Sequence, residues 1–191
     1  RDRSHSFHVT MQSHCKSAAE ALQCGRMAKG GDDMPRQVDH EQRRRQIAQA
    51  VWAIVATRGL EAVSLRDVAA EAGVSMGMVQ HYFRTKDAML HYACRSIVDM
   101  AAARLDTALE DGSGPPAPAT ALRALFVGTL PLTPEQRVGT SVWYAFMARA
   151  VVDEALGVII REAWHGTHDF VVAQLRAAQR TAQVPATVDP D

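Results

Sequence analysis

The stretch GVSMGMVQHYF, residues 73–83, sets Met76, Gly77, Met78, Gln80, His81 and Tyr82 almost side by side, with Thr85 and Lys86 just beyond. A protein core takes few of these types. At a surface they can do recognition chemistry. Glutamine can pair through two hydrogen bonds with an adenine edge, and a tyrosine hydroxyl or a lysine can hold a phosphate oxygen. Glycine allows a close approach. The rival sets are thin. Ser64, Ser75 and Ser141 lie in no nucleophile-elbow context, so no catalytic residue is expected and the chain does not read as an enzyme. His165 and His168 lie three apart with no cysteine or carboxylate constellation around them; they read as a solvent face, and neither metal nor other cofactor is expected.

Such a surface needs short helices to carry it, and the sequence supplies their punctuation. Asp39 suits an N-cap, with Gln42 three residues on, and Ile47, Val51, Ile54 and Val55 make a helical stripe that Gly59 ends. Ser64 caps a second helix, Leu65 to Ala72, that Gly73 ends. Ser75 caps the short third helix, and Thr85 a long fourth one from Lys86 to about Glu110. DGSGPPAP, residues 111–118, breaks the chain. A helix follows near 119–128. Thr133 caps the next, with Pro134 at its first position, and a last one runs from about Asp153 to Ala182. The expected fold is all-α. Residues 1–33 show little periodicity and read as a disordered tail or start-site extension ahead of Met34.

The spacing inside the second and third helices is specific. Ala69 stands four before Gly73 and Val79 six after it, in the order small residue, turn glycine, buried aliphatic. Leu65, Val68, Val74 and Val79 then seal an inner face, and Met76, Gly77, Gln80 and His81 point outward with Met78 and Tyr82 beside them. This is a helix-turn-helix pattern, and the major groove of DNA accepts such a helix. Net charge does not point to nucleic acid: 21 basic residues balance 21 acidic ones. Residues 34–92 nonetheless carry 8 Lys/Arg against 6 Asp/Glu, with Arg36, Arg43, Arg44 and Arg45 ahead of the first stripe. A helical module binding protein through residues 76–82 is the bland alternative.

GLEAVSLRDVAAEAGVSMGMVQHYFRTKDAML resembles the DNA-binding domain of the TetR family of bacterial transcriptional regulators, over about Arg43 to Tyr92. The resemblance implies a three-helix helix-turn-helix domain, 34–84, joined by a long helix to a helical ligand-binding and dimerisation domain, 85–191. It implies a repressor released from its operator by a small molecule. Its partners would be an inverted-repeat DNA operator, an effector and a second copy of the chain. Carried over, Met76, Gly77, Met78, Gln80 and His81 meet the groove, while Tyr82, Thr85 and Lys86 hold phosphates, with Arg36, Arg43, Arg44 and Ser64 as further DNA contacts. Gln80 stands where the family more often has tyrosine, so base reading and phosphate clamping both stay open for it.

Residues 138–152, VGTSVWYAFMARAVV, look like the sensor half of the BetI-like branch, which does not by itself make choline the ligand. Met100, Phe126, Trp143, Phe146, Met147 and Trp164 are the candidate pocket. The family's two further helices would follow Ala182, so the C-terminal domain is expected to be incomplete at Asp191. Cys15, Cys24 and Cys94 form no C-x-x-C, no run of about 20 apolar residues spans a bilayer, and no signal-peptide pattern opens the sequence. A cytoplasmic protein with no membrane partner is expected.

Overall fold

The computed structural model describes residues 34–110 and 116–191, with side chains from Asp39 onward. The tail expected at 1–33 and part of the break at 111–118 lie outside these residues. Seven α-helices follow in order: α1 (Met34–Arg58), α2 (Leu65–Glu71), α3 (Met76–Tyr82), α4 (Lys86–Leu109), α5 (Pro118–Thr129), α6 (Pro134–Ala150) and α7 (Glu154–Arg180). A single 3-10 turn, Leu60–Ala62, links α1 to α2, and no strand occurs among the described residues.

The helix starts are chemical. Ser64, Ser75 and Thr85 each accept the backbone N–H three residues on, at 3.1, 3.1 and 3.0 Å. Thr133 and Gln136 form a reciprocal capping box behind Pro134. Asp153 accepts from the Leu156 N–H at 3.1 Å and opens α7. Asp39 is the exception. α1 spans Met34–Arg58, so Asp39 lies inside the helix, pairing with Arg43 at 3.7 Å. The helix expected from Asp153 to Ala182 spans Glu154 to Arg180.

Two glycines end helices in backbone that other residues resist. Gly59 has φ 83° and ψ 166°, a region essentially reserved for glycine. Gly73 has φ 65°, and its N–H reaches Ala70 O at 3.2 Å while the Val74 N–H reaches Ala69 O at 3.0 Å. That is a Schellman close to α2, and it turns the chain directly into α3.

The described residues form two compact units. One joins residues 34–100 to 129–161 and the other joins 101–128 to 162–191. In the first, α1 packs against α2 and α6, and α2 against α3. Ile47, Val51 and Ile54 of α1, Val68 of α2, Val79 of α3 and Phe146 of α6 are each at most 1% exposed. No polar or charged side chain is fully buried among the described residues. In the second unit α7 buries Val172 and Ala178, and α5 buries Ala121. Its last residues fold back on α7: Gln179 donates to Val188 O at 2.6 Å, and Arg176 pairs with Asp191 at 2.7 Å. α7 ends in a second Schellman close, with Ala182 at φ 56° in the glycine position.

Both closes should favour glycine over alanine. Gly73→Ala should cost about 1–2 kcal/mol of unfolding free energy, because an L side chain resists the left-handed conformation. Ala182→Gly should gain about 0.5–1 kcal/mol, the relieved strain being partly offset by a more flexible unfolded chain. Urea unfolding of both variants checks the signs.

Candidate nucleic-acid interface

The recognition surface is built on α3, which has only seven residues. Its inner side is pinned by Val79, fully buried, and its C-cap Phe83 is 1% exposed. With those turned in, Met76 is 46% and Met78 38% exposed, and Gly77, Gln80 and His81 are exposed as well. The outward face is therefore the one expected from the sequence. Gly77 has no folding reason to be glycine: an added Cβ would meet only the Ser75 hydroxyl, at 3.9 Å.

Tyr82 is half-buried at the end of α3, and two imidazoles meet its ring. The His40 ring, from α1, lies 4.6 Å from the Tyr82 ring centroid, and His81 meets it edge-on at 5.2 Å. Thr85 uses its hydroxyl oxygen to cap α4, and Lys86 begins that helix. Lys86 also lines a cleft of about 130 Å3 with Leu60, Glu61, Asp87, Leu90 and Arg149.

The other expected DNA contacts have structural duties. Ser64 caps α2, and its hydroxyl donates to the Asp67 carboxylate. That bond holds the Asp67 carboxyl below its usual range against the opposing effect of burial, and the Arg58 guanidinium beside it adds to the lowering. Arg43 pairs with Asp39 and donates to Gln46 Oε1 at 3.0 Å. Arg44 lies over two rings, 4.1 Å from Tyr92 and 5.2 Å from Phe83, so its guanidinium joins α1 to the start of α4. Arg36 lies in the first turn of α1, and its side chain is outside those described.

Several residues without a sequence signal orient the helices. Gln46 donates to Ala72 O at 2.9 Å, the open carbonyl at the end of α2. Trp52 donates from Nε1 to Ala93 O at 3.0 Å. Tyr92 donates to Glu41 Oε1 at 2.6 Å; burial, then this bond, push its hydroxyl up to about 12. Each partnership joins α1 to a residue 26–51 positions away, which periodicity cannot show. A second tie centres on Asp153, which pairs with His91 of α4 at 3.3 Å and lies 3.9 Å from Arg149. Burial pushes the Asp153 carboxyl up, but the Leu156 N–H, His91 and Arg149 together hold it below its usual range.

The six candidate pocket residues are distributed over both units. Phe146 is fully buried, and Met100, Trp143 and Met147 are half-buried against the core of the first unit. Phe126 and Trp164 belong to the second unit, each 55% exposed. An open cleft of about 330 Å3 in the first unit is lined by Leu60, Glu61, Ala145, Ala148, Arg149 and Val152, none of the six. Among the described residues no three His, Cys, Asp or Glu gather as metal ligands, and no helix is long and apolar enough to cross a membrane.

Comparison with known proteins matches residues 47–93 to the family described as bacterial regulatory proteins, tetR family, and residues 118–191 to the BetI-type transcriptional repressor C-terminal family. The HTH-type transcriptional regulator PksA of Bacillus subtilis (strain 168) is 37% identical over 118 residues, 61% of this chain and 56% of that one. BetI of Proteus mirabilis is 30% identical over 112 residues, 57% of this chain and 54% of its own length. The chain thus spans a little over half the length of these two curated relatives. Among solved structures, a transcriptional regulator from Rhodococcus sp. Rha1 is 37% identical with a TM-score of 0.63, each chain 70% covered. A regulator from Saccharomonospora viridis, solved in complex with choline, shares the fold with a TM-score of 0.70 at 24% identity, over 79% of this chain and 77% of that one.

The buried groups give the fold an alkaline limit. Below pH 10 Tyr92 is protonated folded and unfolded alike, and its contribution is intact. Between about 10 and 12 the unfolded chain gives up this proton first, so stability falls as pH rises. The Cys94 thiol, also pushed up to about 12 by burial, adds a loss of the same sign beginning near pH 9. Urea midpoints at pH 9 and pH 11 should therefore differ less for Tyr92→Phe than for the wild type.

Proposed function

The chain belongs to the TetR family of bacterial regulatory proteins, and from that premise we propose that it is a sequence-specific DNA-binding repressor, released from its operator by a small-molecule effector. The observation that carries this is the outward face of α3. Met76, Gly77, Met78, Gln80 and His81 are exposed on a helix whose inner side is buried, and Tyr82, Thr85 and Lys86 follow at its end. Residues 34–84 read the DNA in this view; residues 85–191 bind the effector and a second copy of the chain.

A homodimer places two copies of α3 in successive major grooves, about 34–36 Å apart, on an inverted repeat. The protein works in the cytoplasm, where its operator lies. Trp143, Met147 and Met100 pack half-buried against the core that contains the fully buried Phe146, and an effector cavity opens where these side chains yield. The effector acts only if it binds one conformation better than the other.

Selection of bound duplexes from genomic fragments tests the central reading, which expects an inverted repeat and an affinity that falls steeply with salt. A face that captures protein instead would show neither. On the selected operator, Gln80→Ala should cost about 1–3 kcal/mol and relax preference at one base pair, whereas equal loss on all sequences would make Gln80 a phosphate contact. Lys86→Ala should weaken specific and non-specific DNA alike and reduce the salt slope by about one unit per half-site.

Gly77 separates folding from recognition. Gly77→Ala should stabilise the fold by up to about 1 kcal/mol, because alanine is the better helix former and space is open there. The same exchange should weaken operator binding, because the added methyl stands on the face that approaches the groove. Thermal melts and anisotropy titrations on one preparation check both signs.

A further inference from the structure

We propose that His40 and His81, both in ring contact with Tyr82, bind backbone phosphates of duplex DNA as a three-ring cluster and so make DNA affinity depend on protonation. This rests on the reading of α3 as the DNA-facing helix and adds to it a contact from α1. His40 and His81 come from different helices, 41 positions apart in sequence, yet their rings meet the same tyrosine, at 4.6 and 5.2 Å. Both imidazoles are exposed while Tyr82 is half-buried. A cluster made for packing would bury the outer rings, and this one leaves them at the surface beside the outward face of α3.

The charges around the cluster favour an anion. On α1, Asp39 is paired with Arg43 at 3.7 Å, and Glu41 takes both the Tyr92 hydroxyl at 2.6 Å and Arg45 at 3.6 Å. α3 itself carries no carboxylate, Arg84 follows its end, and α4 opens with Lys86 ahead of Asp87. Histidine is the side chain whose charge ordinarily changes between pH 5 and 8, and an adjacent phosphate favours its charged form. Binding DNA then takes up protons. Each protonated ring on a phosphate releases a counterion, steepening the dependence of log affinity on log salt by about 0.9. His81, edge-on to Tyr82 at the end of α3, is thereby placed with the backbone clamp rather than with the base readers.

The test measures affinity for a selected operator and for a random duplex at pH 5.5, 7.0 and 8.5, between 50 and 200 mM salt. The wild type should bind both duplexes more tightly and with a steeper salt slope at pH 5.5. His40→Gln and His81→Gln should each lose about threefold at pH 5.5 near the top of that salt range and flatten the acid slope, with thermal melts unchanged. His40→Arg keeps a permanent cation: it should restore affinity and remove the His40 share of the pH dependence. Affinity and salt slope that are independent of pH in the wild type, or unaltered in both glutamine variants, overturn the proposal. No DNA binding by the wild type at any pH would overturn the DNA reading itself, a separate and recognisable result.

Discussion

A helix of seven residues cannot hold itself together in water. Fixing its first turn costs more than two turns of hydrogen bonds return, so its stability has to come from packing. α3 is such a helix, and it carries most of the proposed recognition surface. Val79 and Phe83 anchor it in the core, Ser75 satisfies its first turn, and the left-handed turn at Gly73 leads the chain into it. An outward face of glutamine, histidine, glycine and methionine is possible because Val79 and Phe83 are buried on the other side.

The apolar core and the polar ties have different tasks. The core of the first unit contains no buried polar side chain, and apolar contact is non-directional. Direction comes from its edge. Gln46 reaches the end of α2, Trp52 reaches α4, and Arg44 and Glu41 hold Tyr92. Such a bond contributes only about 1 kcal/mol of net stability. Its larger effect is to choose among rotations of α1 that would bury similar area. The same tie sets Tyr92 and Ala93 against α1 a few residues beyond Thr85 and Lys86. A shift of α4 relative to α1 would therefore displace the proposed clamp.

Positive charge is arranged along the same lines. A count of arginines near the N-terminus suggests a basic arm, but Arg43 and Arg44 are engaged with Asp39, Gln46 and two aromatic rings. Their guanidinium groups also hold positions within the fold, and Asp39 offsets part of the Arg43 charge. Lys86 and Arg84, at the junction of α3 and α4, are the cations placed beside the recognition face, and the His40–Tyr82–His81 cluster continues that edge onto α1.

By itself the sequence determined most of what depends on near neighbours. Caps at Ser64, Ser75, Thr85 and Thr133, stops at Gly59 and Gly73, the α1 stripe and the outward residues of α3 all follow from interactions within about five positions, and they stand where the spacing put them. The role of Asp39 was less legible, because an aspartate suits a cap and an i,i+4 ion pair equally well. Only the tertiary structure decided what meets across long separations: Arg44 on Tyr92, His40 on Tyr82, Asp153 on His91. It also decided that aromatic candidates of similar composition differ, Phe146 fully buried and Trp164 exposed. Residue type states what a side chain can do, but which partner it finds depends on how whole helices pack, and that is set by the sum of many contacts rather than by any local spacing.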